Sequence, residues 1–165
     1  MKQKVVVFSQ IDATVLDQLE RDYHVVVLNP KQGDINEQIR TEVVDADAMI
    51  GAGRLLNETN LAPAQQLKII STVSVGYDNY DVDYLTKNNI WLANTPHVFT
   101  ETTADLAFTL LVSAARKVPE LDQWTKNGEW KRTVGPAQFG QDIFGKTLGI
   151  IGLGNIGAAV ARRGF

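Results

Sequence analysis

The sequence predicts an α/β fold: a doubly wound parallel sheet over residues 1–98, followed by the start of a second α/β unit over residues 99–165. Three observations point there. Short β-branched runs alternate with amphipathic stretches through the first 95 residues, the pattern of a parallel sheet covered on both faces. The rhythm then changes to one long helix beginning at Thr100. Near the end, an apolar run closes in a glycine turn that opens another helical pattern.

Lys4–Ser9 is a β-branched run of strand length, too short for a helix. Asp12 is placed to cap a helix carrying Val15, Leu16 and Leu19. Val25–Leu28 is a second strand, closed by Asn29-Pro30. Asp34 starts a helix with Ile35, Ile39 and Val43. Ala48–Ile50 is a third strand, running into Gly51-Ala52-Gly53. Leu61, Ala64 and Leu67 suggest a short helix that takes Pro63 in its first turn. Lys68–Val75 reads as a fourth strand, Asp81–Asn88 as a helix and Ile90–Asn94 as a fifth strand. Right-handed crossovers leave few topologies, and a flavodoxin-like sheet is the expectation.

Thr100–Lys117 reads as a long helix, with Thr100 as N-cap and Glu101 at its positive end. Its apolar face runs Ala104, Ala107, Leu111, Ala114 and Val118, widened by Leu106, Leu110 and Ala115. Pro119 is expected to stop or kink it. Leu121–Trp130 reads as a further helix, Lys131–Phe144 as a loop, Lys146–Ile151 as a strand and Ile156–Arg163 as the start of a helix.

Composition narrows the function. Sixteen Lys plus Arg against nineteen Asp plus Glu give a net charge of -3, with no basic patch for nucleic acid. Cysteine is absent, which removes disulfides, CxxC redox chemistry and Cys zinc sites, and two His are too few for most His-metal clusters. No apolar run is long enough to span a bilayer. The N-terminus lacks the pattern of a signal peptide, so a cytoplasmic protein is expected. Asp78, Asp81 and Asp83 do not fit a calcium loop and read as turn and cap residues. A receiver-type signalling domain would need an acidic pair after the first strand and an Asp ending the third. Ser9-Gln10 and Gly51 stand there instead.

The most specific local motif is Gly152-Leu153-Gly154-Asn155-Ile156-Gly157, a GxGxxG between a strand and a helix. Gly152 permits a tight turn, Gly154 lets a pyrophosphate approach the main chain, and Gly157 lets helix and strand pack closely. The amides of Asn155 and Ile156 then point at phosphates, helped by the helix dipole. Eight residues follow Gly157, so the position that would choose NAD or NADP by holding the ribose lies past Phe165, and the chain reads as cut.

Three stretches, Ser71–Asn79, Thr95–Arg116 and Asn127–Gly157, resemble the D-isomer-specific 2-hydroxyacid dehydrogenases, and within them the glyoxylate/hydroxypyruvate reductase B (2-ketogluconate reductase) group. The resemblance implies a substrate domain over residues 1–98 and part of an NAD(P)-binding Rossmann domain over residues 99–165. It also implies a homodimer formed near the long helix. The activity implied is hydride transfer between NAD(P)H and a 2-oxo or 2-hydroxy acid such as glyoxylate, hydroxypyruvate or 2-ketogluconate. Family members bind the substrate carboxylate through main-chain N–H groups at the place of Val75 and Gly76. The loop of Arg54 and Leu55 helps to wall the substrate pocket, where Arg54 either holds a second anionic group or sits in solvent. Thr103 matches a position facing the cofactor. The family's Arg and its Glu–His pair have no counterpart in residues 1–165, and His24 and His97 do not match that His. No catalytic residue is assigned here, and the chain alone is expected to be inactive. The other reading is a non-catalytic, corepressor-like module that senses dinucleotide on the same fold. A full-length sequence without the His would favour it.

Overall fold

A computed structural model of the chain describes residues 2–131 and 133–165. Met1, at the head of the N-terminus, and Arg132, inside the expected loop 131–144, lie outside them. The chain divides into two compact units, Met1–Val98 and Phe99–Phe165.

The first unit is a five-stranded parallel sheet in the order β2-β1-β3-β4-β5. Its strands are β1 (Lys4–Val7), β2 (His24–Val27), β3 (Ala48–Gly51), β4 (Ile69–Thr72) and β5 (Trp91–Ala93). Val6 pairs with Val26 on one side and Met49 on the other; Met49 pairs with Ile70 and Ile70 with Leu92. The order reverses between β1 and β3, the place where doubly wound sheets open a crevice at their carboxyl ends. Val5, Val6 and Val7 are all buried, so β1 is covered on both faces, which is why it reads as a continuous apolar run. The edge strands β2 and β5 keep His24 and Trp91 exposed.

Helices α1 (Ala13–Asp22), α2 (Ile35–Glu42), α3 (Glu58–Leu61) and α4 (Val82–Lys87) make the crossovers. Asp12, Asp34 and Asp81 cap α1, α2 and α4, each carboxylate accepting a main-chain N–H. One core binds Val6, Met49 and Ile70 of the sheet to Ile39 of α2 and its C-cap Val43, Leu61 of α3 and Leu85 of α4.

The second unit holds α5 (Thr100–Ala115), α6 (Val118–Lys126) and α7 (Asn155–Arg163). Helices α5 and α7 pack together. Ala104 and Ala159 are its two fully buried residues among those described. Arg162 pairs with Glu101 at 2.6 Å, and Arg163 with Asp105 at 2.6 Å and Glu101 at 3.0 Å. The loop after α6 folds back on the end of α5: Gln141 N–H donates to the Ala115 carbonyl at 2.7 Å. A Cβ at Gly140 would stand 2.6 Å from that carbonyl, so this breaker glycine allows a close backbone approach.

Several expectations are corrected. Lys146–Ile151 forms no strand, because no neighbouring strand among the described residues offers a ladder for its backbone. Helix α3 lies earlier than expected; Asn57 caps it and it ends before Pro63. The helix from Thr100 ends at Ala115, its N-cap is Phe99 rather than Thr100, and no side chain caps it. Lys117, at φ 54°, makes the break, and Pro119 falls in the first turn of α6, where its missing N–H costs nothing. Strand β4 stops at Thr72, and the residues up to Val75 leave the ladder for a loop. No helix among the described residues is long and apolar enough to cross a membrane.

Candidate functional site

The carboxyl ends of β3 and β4 carry two loops that are tied together. Leu56 N–H donates to the Asn79 carbonyl at 2.8 Å, and Asp81 N–H to the Leu56 carbonyl at 2.9 Å. Gly53-Arg54-Leu55 thereby lies beside the loop that contains Val75 and Gly76. Next to the switch point, Ala52 N–H donates to Ser9 Oγ at 2.8 Å. Leu55 is exposed, and the half-buried Arg54 has no side-chain hydrogen bond or ion pair among the described residues.

The loop after β4 has its carbonyls occupied. Thr95 N–H donates to Ser74 O at 3.0 Å, Asn94 Nδ2 to Val75 O at 2.9 Å, and Ser74 Oγ to Gly76 O at 2.7 Å. The N–H groups of Val75, Gly76 and Tyr77 have no partner among the described residues. That asymmetry leaves main-chain donors beside occupied carbonyls, an arrangement able to receive an anion without any side-chain charge. Gly76 is not in the left-handed region, and a Cβ there would meet only Asp78 Oδ2 at 3.9 Å. Neither backbone conformation nor crowding inside the chain calls for glycine at this position.

Below the loop lies a set of hydroxyls. Thr72, fully buried, stands 2.6 Å from Ser74 Oγ. Because Ser74 spends its proton on Gly76 O, Thr72 donates to Ser74. The buried Tyr80 hydroxyl completes no hydrogen bond. Burial pushes the phenol above its ordinary range, and the neighbouring Thr72 hydroxyl works against that shift.

In the second unit the glycine turn opens α7. Ala158 N–H makes the first helical bond, to Gly154 O at 2.8 Å, so the amides of Asn155, Ile156 and Gly157 stand in the first turn. The three glycines have different reasons. Gly152 sits at φ 87°, in the left-handed region. A Cβ on Gly157 would lie 2.0 Å from Gly152 O, so helix and turn approach too closely for any side chain. Gly154 has an ordinary φ and open space where its Cβ would be. Ile151, Leu153 and Gly154 face solvent. A helix start without a side-chain cap, with room above the middle glycine, fits a pyrophosphate.

Thr103 is exposed on α5, and its hydroxyl makes no hydrogen bond among the described residues. The acidic residues on either side of it, Glu101 and Asp105, reach the far end of α7 rather than the turn at its start. The structure thus joins Val75 and Gly76 with the Arg54 loop, keeps the glycine turn as one piece, and does not link Thr103 to that turn. Trp124 and Trp130 stack on each other at 6.3 Å.

Sequence reasoning missed Asn94, Ser74 and Thr72. A signal existed for two of them. Thr72 and Ser74, two residues apart at a strand end, project to one side. Nothing local marks Asn94, which meets Val75 only because β5 lies beside β4.

The family model described as D-isomer specific 2-hydroxyacid dehydrogenase, catalytic domain, matches residues 5–160. The chain is 39% identical over 163 residues to a glyoxylate/hydroxypyruvate reductase B of Serratia proteamaculans, covering 99% of this chain and 50% of the relative. It superposes on the TT0316 protein of Thermus thermophilus with a TM-score of 0.85 at 33% identity, covering 98% of this chain and 52% of that one. An NADPH-dependent glyoxylate/hydroxypyruvate reductase of Sinorhizobium meliloti, solved with NADP and malonate, gives 0.77 at 29% identity, covering 99% of this chain and 50% of that one. The chain spans about half the length of the curated relatives it matches.

Proposed function

The chain belongs to the D-isomer specific 2-hydroxyacid dehydrogenase family, and from that premise we propose that it is the N-terminal part of an NAD- or NADP-dependent reductase of small 2-oxo acids. Residues 1–98 form the substrate domain in this reading, and residues 99–165 begin the coenzyme domain. The observation that carries it is Gly154, a glycine that neither the backbone nor the packing of the chain requires, placed over the first turn of α7.

The residues present fit a dinucleotide. Gly152, Gly154 and Gly157 shape the turn, and the Asn155 and Ile156 amides face the phosphates. When bound, the nicotinamide supplies the hydride. Val75 and Gly76 hold the substrate carboxylate by their N–H groups, and Arg54 and Leu55 line the pocket beside them. A substrate with a second anionic or polar end would find the Arg54 guanidinium within this loop pair. Glyoxylate, hydroxypyruvate and 2-ketogluconate type acids are the substrate class, supported by the relatives of that name. Thr103 joins the coenzyme set by its matching position on α5.

In this reading the complete protein acts in the cytoplasm, as a dimer. The exposed apolar side chains Leu106, Leu110 and Leu111 on α5 support the dimer. The 165-residue chain is inactive by itself, since a reductase needs a tuned proton donor and the family's Glu–His pair has no counterpart in residues 1–165. Titrating the labelled chain with NADH and NADPH tests the reading. Amide shifts at Gly154, Asn155, Ile156 and Gly157 are expected, together with no oxidation of either coenzyme on adding hydroxypyruvate. Unmoved amides at the turn overturn the coenzyme site, and steady turnover overturns the inactivity.

A further inference from the structure

The three unpartnered N–H groups after β4 are aimed from behind. In a trans peptide the C=O and the next N–H point in opposite directions, and no cis peptide occurs among the described residues. Clamping the Ser74 carbonyl therefore aims the Val75 N–H; clamping the Val75 carbonyl aims the Gly76 N–H; clamping the Gly76 carbonyl aims the Tyr77 N–H. Two of these clamps come from one segment, since Asn94 and Thr95 are adjacent just past β5. The Val75 and Gly76 N–H groups thus both point away from that segment, toward a common side. The third clamp is Ser74 Oγ, whose own lone pair is held by Thr72 at 2.6 Å.

We propose that Asn94 and Ser74 are positioning residues for carboxylate recognition: the Asn94 amide holds the Gly76 N–H in line, and the Ser74 hydroxyl, backed by Thr72, holds that of Tyr77. This rests on the reading of the loop as the carboxylate site and deepens it. Preorganisation is the physical gain. A free loop of this kind would have to freeze its peptide planes when the anion arrives, and that ordering cost would come out of the affinity. Here the partners are already in place before any ligand binds. Neither residue touches the substrate; each acts through a main-chain carbonyl.

The test uses the isotope-labelled 165-residue chain, with millimolar glyoxylate as probe, and compares it with Asn94→Leu and Ser74→Ala. In the unsubstituted chain, glyoxylate shifts the Val75 and Gly76 amides. Asn94→Leu should loosen the Gly76 N–H vector in relaxation measurements without ligand and weaken glyoxylate by roughly two- to tenfold, the worth of one hydrogen bond. Its amide spectrum over β1 and β3 should stay unchanged. Ser74→Ala should loosen Tyr77 and leave Gly76 rigid. That residue-by-residue pattern is something a general loss of structure would not produce. If glyoxylate shifts Val75 and Gly76 but both variants keep rigid N–H groups and full affinity, the positioning role is overturned and the carboxylate reading stands. If the unsubstituted chain shows no shift at either amide, the carboxylate reading falls and takes the positioning role with it. Should Asn94→Leu fail to fold, Ser74→Ala decides the matter at Tyr77.

Discussion

The two units of this chain carry equally clear local signals and end in unlike states. In the first, five strands find ladder partners and one core gathers Phe8, Ile39, Met49, Ile70 and Leu85. In the second, Ala104 and Ala159 are the fully buried residues among those described, and Leu106, Leu110, Phe144 and Ile151 stand exposed. The run Lys146–Ile151 is as strand-like in sequence as Lys4–Val7, yet only the latter pairs. A helix satisfies its hydrogen bonds within itself, so α5 and α7, packed on each other, form without a ladder. A strand needs a neighbour. The difference lies in what each segment has beside it rather than in its own residues.

The two units differ most in their cores. Ile39→Ala and Leu85→Ala should each cost about 2–5 kcal/mol in denaturant unfolding, because both side chains are fully buried. Leu110→Ala, at an exposed position of α5, should stay within about 0.5 kcal/mol. Equal losses at both places would show that α5 is covered in solution.

The glycines of the two units also differ in what surrounds them. Gly51→Ala would drive a Cβ to 2.7 Å from the Phe8 ring and should cost about 1–3 kcal/mol of stability. Gly157→Ala collides with Gly152 O at 2.0 Å and should distort the turn, erasing its amide response to NADH and NADPH. Gly76→Ala meets only Asp78 Oδ2, at 3.9 Å, and Gly154→Ala meets open space, so both should fold as before; each should lose only its own ligand, glyoxylate at the first and coenzyme at the second. Thermal melts alongside amide titrations separate the two classes.

Smaller effects come from caps and charges. Asp34→Ala removes the bond to the Asn36 N–H and should cost about 1 kcal/mol in urea unfolding. Asp47 accepts the Lys4 N–H at 3.0 Å and pairs with Lys68 Nζ at 3.1 Å. The first and then the second hold its carboxyl below the ordinary value of 3.8. The unfolded chain then takes up the proton more readily. Its contribution is present above that ordinary value and is lost as pH falls through the lower, folded one. Asp47→Asn should flatten the acid limb of the stability–pH curve of the first unit. At the alkaline end, burial lowers the Lys4 pKa, but hydrogen bonds to Asp45 and Glu42 outweigh it and raise the value above 10.5. Their contribution is therefore present below that value and fades as pH rises through the folded one.

Much of this was legible along the chain. Asp12, Asp34 and Asp81 announce helix starts because a cap is a local device, settled within three residues. The alternation of runs gave the parallel sheet, and the spacing Gly152, Gly154, Gly157 gave the turn. Boundaries were less legible. Pro63 and Pro119 each have two meanings, inside a first turn or beyond a last one, and a sequence does not say which. Thr100 loses the cap to Phe99 for a similar reason: a capping side chain works only if the backbone before it turns the right way.

By itself the sequence determined the class of fold, the starts of the helices, the glycine turn and the absence of any cysteine chemistry, all of which depend on residues a few positions apart. Tertiary structure decided that 146–151 would not be a strand and that Leu56 would tie the Arg54 loop to the Asn79 carbonyl. It also decided that Asn94 would stand behind Val75. Hydrogen bonds between distant segments exist only once the sheet has brought them within reach, and no spacing along the chain encodes that distance.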